Sequence, residues 1–456
     1  MRERILVIDI GKTNAKVAVV EAASLAQIDH IARPSRVLPG PPYPHADTEG
    51  IWAFLLDAMR ELHARHQVGA VSITAHGATA ALLDADGQLA LPVLDYEHPG
   101  PDELAAAYDA QAPAFAETGT PKLPCGLVVG RQLFWQFATF PEAARADRIV
   151  MYPQYWAHRL TGVAASEATS LGCHTDLWNP TTRDFSSMVD AHGWRRLFPA
   201  LRKASDCLGP ITAEVAAATG LPPDTPVFCG IHDSNASLLP HLRSQPAPFS
   251  VISTGTWVIV MAIGGRATRL DPARDTLVNV NAFGDPVPSA RFMGGREWEM
   301  TRPEPVPEPA AVATLLEREI FLLPSVVPGS GPYPGHVAEW TGPDDRSPAE
   351  QTAALSLYLA MMTATCLKLI GAAGPTLVEG PFARNALYVA MLRAATGRPV
   401  TLPAPGSTGT SLGAALLALP VPPAAREAAV TVLDPDPALA VYAERWRDRV
   451  TRLIDA

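Results

Sequence analysis

Cysteine is scarce in this sequence and nowhere paired. The five cysteines (Cys125, Cys173, Cys207, Cys229 and Cys366) are scattered with no C-x-x-C spacing. That excludes a disulfide framework and a cysteine-rich zinc site, and reads as the reduced thiols of a cytoplasmic protein. Positive charge is in deficit, with 36 Lys and Arg against 46 Asp and Glu and a net charge of -10. No broad basic face is therefore expected for nucleic acid. Long hydrophobic runs are lacking too: apolar stretches are broken by Gly, Thr or charge, and none is expected to span a membrane. The first residues run straight into a strand-like segment containing Asp9, with no signal-peptide pattern. What is present is 48% apolar and 18% charged residue content over 456 residues, the composition of a globular enzyme and a length that favours two domains.

The chain shows the same short pattern twice. Ile5–Ile10 and Ala15–Val20 flank the turn Gly11-Lys12-Thr13-Asn14, and the strands within Phe249–Ile263 flank Ser253-Thr254-Gly255-Thr256. Each reads as strand, polar turn, strand, a weak internal repeat at the head of each half. Between and after them the pattern predicts a helix over Ile51–Leu62 and strands over Val68–Ala75, Leu89–Leu94 and Thr225–Cys229. It further predicts a helix from near Ser234, a long apolar helix over Leu355–Ile370, a strand over Thr376–Val378, and helices over Asn385–Ala395 and Ala414–Leu419. The polar, proline-bearing Arg243–Pro248 marks a domain boundary, giving domains 1–243 and 244–456. Pro303–Pro309 reads as a surface excursion, and the charged stretch beyond Pro420 as ending in a surface helix.

Two acids sit oddly. Asp9 lies in an otherwise apolar strand, where an unpaired carboxylate costs roughly 2–7 kcal/mol; it either faces a metal or caps the adjacent turn. Asp233 follows a buried strand, beside His232 and Gly230, where open α/β sheets collect ligands. It could take a proton from a substrate hydroxyl, though spacing alone favours an N-cap. Gly11-Lys12-Thr13 is not a P-loop, because the upstream Gly is absent and a strand follows instead of a helix. Turns rich in Gly, Thr and Asn nonetheless offer donors to phosphate oxygens, and two of them suggest a clamp on one nucleotide. His76, after a buried strand, reads as a satisfied core histidine or a functional group. His63 and His66 read as a solvated helix face, and Met361-Met362 as packing.

The ordered set of motifs resembles the FGGY carbohydrate kinase family. Asp9-Ile10-Gly11-Lys12-Thr13-Asn14-Ala15-Lys16 resembles its first phosphate motif, and Ser253-Thr254-Gly255-Thr256-Trp257 is similar to the second. Gly230-Ile231-His232-Asp233 resembles the segment of the catalytic base. Arg159–Gly162 with Ser166–Ser170 and Asp176 is similar to the middle signature, and Ser407–Ala415 to the closing helix. The similarity runs from about residue 4 to about residue 420 and feels closest to the rhamnulose and fuculose kinase branch. It departs at Glu379-Gly380-Pro381-Phe382, where paired glycines are usual. It departs also at Asp95-Tyr96-Glu97, in place of Trp-x-Asp, and at Arg131-Gln132, where many members carry Lys.

The resemblance implies an α/β chain of two ribonuclease-H-like, actin-like ATPase domains with a cleft between them, the first sugar-binding and the second nucleotide-binding. It implies ATP-dependent phosphorylation of a small ketose, a 6-deoxyketohexose or ketopentose. Asp233 becomes the general base, and Asp9 and Asp233 the groups nearest Mg2+. His76, Gly77, Asp95, Glu97 and His232 would meet the sugar. Gly11, Lys12, Thr13, Asn14, Lys16, Thr254, Gly255, Thr256, Gly295, Gly380 and Asn385 would meet the nucleotide. The partner is then a small molecule, with no nucleic acid and no membrane, and a homodimer is compatible with it. The rival readings are a sugar-binding regulator on the same fold with its catalysis lost, and an actin- or chaperone-like ATPase acting on a protein.

Overall fold

The computed structural model describes residues 3–301, 311–402, 409–419 and 436–455. The Pro303–Pro309 run and the Ser407-Thr408 start of the closing motif lie outside them. The chain divides into two compact units. One is Met1–Gln245 with Val278–Pro286 and Gly406–Arg426; the other is Pro246–Leu277 with Val287–Pro405 and Glu427–Ala456. The second half is thus not one block, since two of its segments fold with the first.

In the first unit β1 (Arg4–Ile10), β2 (Asn14–Glu21) and β3 (Gln27–Pro34) form an antiparallel meander. β4 (Val71–Ala75) joins β1 in parallel. β6 (Pro226–Phe228) and β7 (Ile231–His232) lie parallel to β4, and β5 (Cys207–Pro210) closes the edge. β1 is apolar on both faces because both are covered. Leu6, Ile8 and Ile10 pack with Leu55 and Met59 of α1 (Thr48–His66), while Ile5 and Val7 pack with Ala414 and Ala415 of α6 (Gly409–Leu417). Asp47 caps α1, accepting from the Gly50 N–H at 2.9 Å. α6 lies so close to α2 (Asp233–Ser244) that a Cβ on Gly413 would come within 1.7 Å of the Ala236 carbonyl oxygen; only glycine permits that crossing.

The second unit repeats the plan. β8 (Phe249–Thr254), β9 (Val258–Ile263) and β10 (Pro286–Phe292) run antiparallel, and β11 (Thr376–Glu379) and β12 (Val400–Thr401) continue from β8 in parallel. A meander followed by parallel strands, with helices on the faces, is the ribonuclease-H-like α/β arrangement. α3 (Gly294–Thr301) follows β10, and α4 (Pro348–Leu369) begins with a capping box between Ser347 and Glu350. By length and apolar composition α4 could cross a membrane, contrary to the expectation that no stretch would; 78% of its most apolar window is buried inside the protein, as a core helix. The terminal helix α7 (Pro437–Asp455) is not purely a surface element: Leu439, Tyr442, Ala443, Trp446 and Val450 stand at helical spacing and are buried in the same core.

Two local expectations differ from the structure. Leu89–Leu94 forms only isolated bridges at Leu89 and Leu94, because Pro92 has no N–H for a continuous ladder. The link expected to start at Arg243 is helical through Ser244.

Candidate active site

β1, β4 and β7 end level with one another: Ile10 pairs with Ala75, and Ala75 with His232. Asp9, His76 and Asp233 thereby gather at the carboxyl ends of three parallel strands. Asp9 does not cap the turn. It faces Lys16 across the hairpin, with Nζ to Oδ2 at 3.1 Å. Burial raises its carboxyl above the usual range, Lys16 opposes this, and the charge of Asp233 adds to the rise.

Asp233 is the first residue of α2, and His232 is its N-cap, so the carboxylate is not the simple cap that spacing favoured. Oδ1 accepts from Ser234 N at 2.6 Å and Ser234 Oγ at 3.4 Å, and lies 3.2 Å from His232 Nε2. Among the described residues no donor reaches Oδ2, and the side chain keeps 34% of its exposure. Burial raises this carboxyl too, opposed by His76 and Ser234.

His76 is held neutral by burial. Its Nδ1 lies 2.9 Å from the Gly77 carbonyl, which makes Nδ1 the donor and leaves Nε2 as an acceptor. His232 is 5% exposed, and burial lowers it to about 4. Gly77 is explained by His232: a Cβ there would stand 2.8 Å from His232 Nε2.

Lys12 was expected at the nucleotide, but its ammonium pairs with Asp95, lies 3.5 Å from Glu97 Oε2, and sits 4.5 Å from the centre of the Tyr96 ring. It lines a pocket with Gly11, His76, Asp95, Tyr96 and Tyr152. The rest of the turn, Thr13 and Asn14, is exposed. Two carboxylates, Asp9 and Asp233, are the metal candidates. Among the described residues no group of three or more His, Cys, Asp or Glu side chains gathers to hold an ion. That set suits Mg2+, which keeps most of its water and takes oxygen ligands from phosphates.

In the second unit the nucleotide candidates also converge. Gly295 packs on the Gly255 carbonyl so closely that a Cβ would lie 1.9 Å from it. Gly380, at φ +84°, approaches the Thr254 carbonyl so that a Cβ would lie 2.0 Å away. The Thr254 hydroxyl is engaged, donating to the Glu379 carbonyl and accepting from Phe382 N at 3.1 Å. Gly255 and Thr256 are exposed at the tip. Asn385 stands apart from this use: it caps α5 (Ala386–Thr396) through Tyr388 N at 3.0 Å and donates to Ser356 Oγ at 3.0 Å.

Residues 4–240 match the N-terminal domain of the FGGY family of carbohydrate kinases, and residues 246–427 match the carbohydrate kinase FGGY C-terminal domain. The chain belongs to the FGGY family. It is 38% identical to a carbohydrate kinase from Novosphingobium aromaticivorans, with a TM-score of 0.89 over 98% of this chain and 100% of that one. A xylulose kinase from Lactobacillus acidophilus shares the fold at 15% identity, with a TM-score of 0.80 over 99% and 98% of the two chains. L-fuculokinase of Escherichia coli strain K12 is 27% identical over 277 residues, 57% of this chain. The matched stretch spans 56% of that relative's length.

Within this FGGY chain, sequence reasoning missed several participants. Asn235, 1% exposed, points Nδ2 at His232 Nδ1 at 3.2 Å. Cys173 Sγ lies 3.5 Å from His232 Nε2. Glu167, pushed up to about 7 by burial, accepts from the Thr169 hydroxyl at 2.6 Å, and that hydroxyl oxygen accepts from His232 N at 3.1 Å. The polar run Asp233-Ser234-Asn235 at a helix start was the available signal for Asn235. Nothing local in sequence could have signalled Cys173. Arg131, flagged as a departure, is engaged structurally with Asp102 at 2.9 Å.

Proposed function

We propose that the protein is an ATP-dependent kinase of a small ketose, with Asp233 as general base. The observation that carries this is the asymmetry of Asp233: Oδ1 is occupied by donors and Oδ2 is open. Oδ2 takes the proton of the attacking hydroxyl as its oxygen bonds to the γ-phosphorus and the bond to ADP breaks. The ketose lies in the pocket of Lys12, His76, Asp95 and Tyr96. His76 Nε2 accepts from one hydroxyl there, and Asp95 and Glu97 accept from others. Lys12 belongs with this sugar pocket, by its pairing with Asp95.

In the second unit the exposed Gly255-Thr256 turn offers a backbone surface suited to phosphate, with Gly295 and Gly380 holding its shape. In the first, Gly11, Thr13 and Asn14 offer donors to phosphate, and Lys16 balances Asp9. Asp9 and Asp233 would hold Mg2+, which would supply charge neutralisation on the phosphates. The likeness to L-fuculokinase favours a 6-deoxyketohexose, and a xylulose kinase from Klebsiella pneumoniae, 26% identical over 265 residues, keeps ketopentoses in the set.

The test is ADP release over a panel of ketopentoses and 6-deoxyketohexoses. Release that depends on one of these sugars supports the kinase. Sugar binding without release would instead identify a regulator, and release indifferent to sugar an ATPase of another kind.

A further inference from the structure

We infer that Gln132 is a positioning residue of the sugar pocket: its amide ties the loop carrying His76 to the turn that holds Tyr96, and thereby fixes the spacing of those two rings. The inference deepens the kinase reading and rests on it for the identity of the ligand.

Gln132 sits on the helix Val129–Thr139, whose first residues are all buried. The residue is 1% exposed and offers a ligand almost no surface of its own. Its Nε2 donates to two backbone carbonyls, that of Ala78 at 2.6 Å and that of Gly126. Carbonyl oxygens only accept, so the nitrogen end of the amide must face them, and both of its hydrogens are used. Ala78 closes the His76-Gly77 loop. Gly126 donates its own N–H to the Tyr96 carbonyl at 2.9 Å, and a Cβ on it would stand 2.9 Å from Tyr96 Cα. One buried amide therefore reaches from the His76 loop to the backbone of Tyr96 through a single glycine.

Both segments are left-handed where the amide meets them. Ala78 stands at φ +55°, and Cys125, just before Gly126, at φ +57°. Residues with a Cβ keep such backbone only where surrounding contacts hold it. Arg131, next to Gln132 on the helix, secures the same turn from its other side. Its Nη1 donates to Asp102 Oδ1 at 2.9 Å, and both Asp102 oxygens accept from Cys125 N at 3.0 Å.

What the tie sets is one wall of the pocket, which His76, Asp95 and Tyr96 line together. The Tyr96 ring meets the His76 ring edge-on, with centres 5.5 Å apart, and the Lys12 ammonium lies 4.5 Å from the centre of the Tyr96 ring. Without the amide, the Ala78 and Gly126 carbonyls each lose a buried donor. The two loops then relax independently, and sugar binding must reorder them. That cost falls on the bound sugar and the reacting state alike, so it appears in KM and not in kcat.

Steady-state kinetics test this with two replacements of similar length. Gln132→Met removes both donors and should raise ketose KM roughly tenfold, with kcat and ATP KM within about twofold. Gln132→Lys brings an ammonium to the same two carbonyls and should recover most of the loss. Hydrogen exchange gives a readout that needs no substrate. Exchange in the peptide spanning Cys125–Leu127 should quicken about tenfold in Gln132→Met, with β1 and β4 as protected as in the wild type. Unchanged ketose KM in the folded Met variant overturns the inference, as does exchange at Cys125–Leu127 that stays slow. A Lys variant as impaired as the Met variant overturns it too, and so does an equal rise in ketose and ATP KM, which marks a purely structural loss. Should Gln132→Met fail to fold, Gly126→Ala, which crowds Tyr96 from the same turn, must raise ketose KM selectively for the inference to stand. Absence of sugar-dependent ADP release in the wild type would sink the kinase reading instead, while exchange would still decide whether Gln132 holds the turn.

Discussion

The two hairpin turns are alike in sequence and opposite in what surrounds them. Gly11–Asn14 in the first unit is bracketed by charge. Lys12 reaches Asp95 and Glu97, and Lys16 across the hairpin neutralises Asp9. Among the described residues, no acid forms an ion pair with the turn Ser253–Trp257 in the second unit. Its shape comes from backbone crowding by Gly295 and Gly380 and from the engaged Thr254 hydroxyl. One turn is framed by charge pairs, and the other by close-packed backbone.

The comparison breaks most severely at the base. Asp233→Asn keeps the acceptors toward Ser234 but removes the basic oxygen, and the expected loss in kcat is roughly 10²–10⁴-fold with ketose binding preserved. Steady-state kinetics with calorimetric sugar binding check it; near-normal turnover in a folded variant would remove Asp233 from the mechanism.

Next in size is Gly380→Ala, which tests whether the second turn works through its backbone alone. The φ of +84° and the 2.0 Å approach to the Thr254 carbonyl leave no room for a methyl group. A loss of about 1–3 kcal/mol in stability is expected, with ATP KM raised tenfold or more and ketose KM little changed. A lower melting temperature with unaltered ATP KM would show that the turn is structural only.

Lys12→Met asks the matching question of the first turn. Truncating the ammonium leaves Asp95, with side-chain exposure of 10%, unpaired beside the pocket. Ketose KM is expected to rise roughly tenfold, the scale of one hydrogen bond to a charged group, with ATP KM nearly constant. The reverse split would return Lys12 to the nucleotide.

Much of this architecture could be read from the residues. β1 announces itself by an apolar run interrupted only at Asp9, and that run follows from burial of both faces, by α1 on one and α6 on the other. The odd acids Asp9 and Asp233 were visible because carboxylates in apolar surroundings are costly. The partners of those acids were not visible. Lys12 looks like a phosphate ligand by position, yet its long side chain turns toward residues more than eighty positions away. Asn385 follows a motif, and its side chain caps α5. Gly77 looks like part of a sugar contact, and what demands it is an imidazole distant in sequence. These contacts share one cause: side-chain direction is set by tertiary packing that local pattern does not contain. The joining of α6 to the first unit has the same origin, since its Ala414 and Ala415 pack on Ile5 and Val7 from the far end of the sequence.

The smallest effect on catalysis, and the finest test of the contrast between units, concerns two buried acids. Glu167 in the first unit is met by four donor contacts from Thr169 and Ser170. Glu297 in the second accepts from Tyr358 at 3.1 Å and Val327 N at 3.2 Å, while its Oε2 has no partner. Burial pushes each up to about 7 from an ordinary value of 4.5. A folded value above the unfolded one means that the native state holds the proton more tightly. The stabilisation is therefore complete below about pH 4.5 and is lost as pH rises through about 7. For Glu297 the change amounts to about 3 kcal/mol at most. Glu297→Gln mimics the neutral acid at every pH, so its stability relative to wild type should grow by up to that amount between pH 5 and pH 8. Glu167→Gln should show the same growth from a lower starting point, because an amide satisfies fewer of the donors that the carboxylate meets. Denaturant titrations of both variants across this range decide the point. A pH-independent difference for Glu297→Gln would mean that this carboxyl is ionised in the folded protein, with a cation or donor at Oε2.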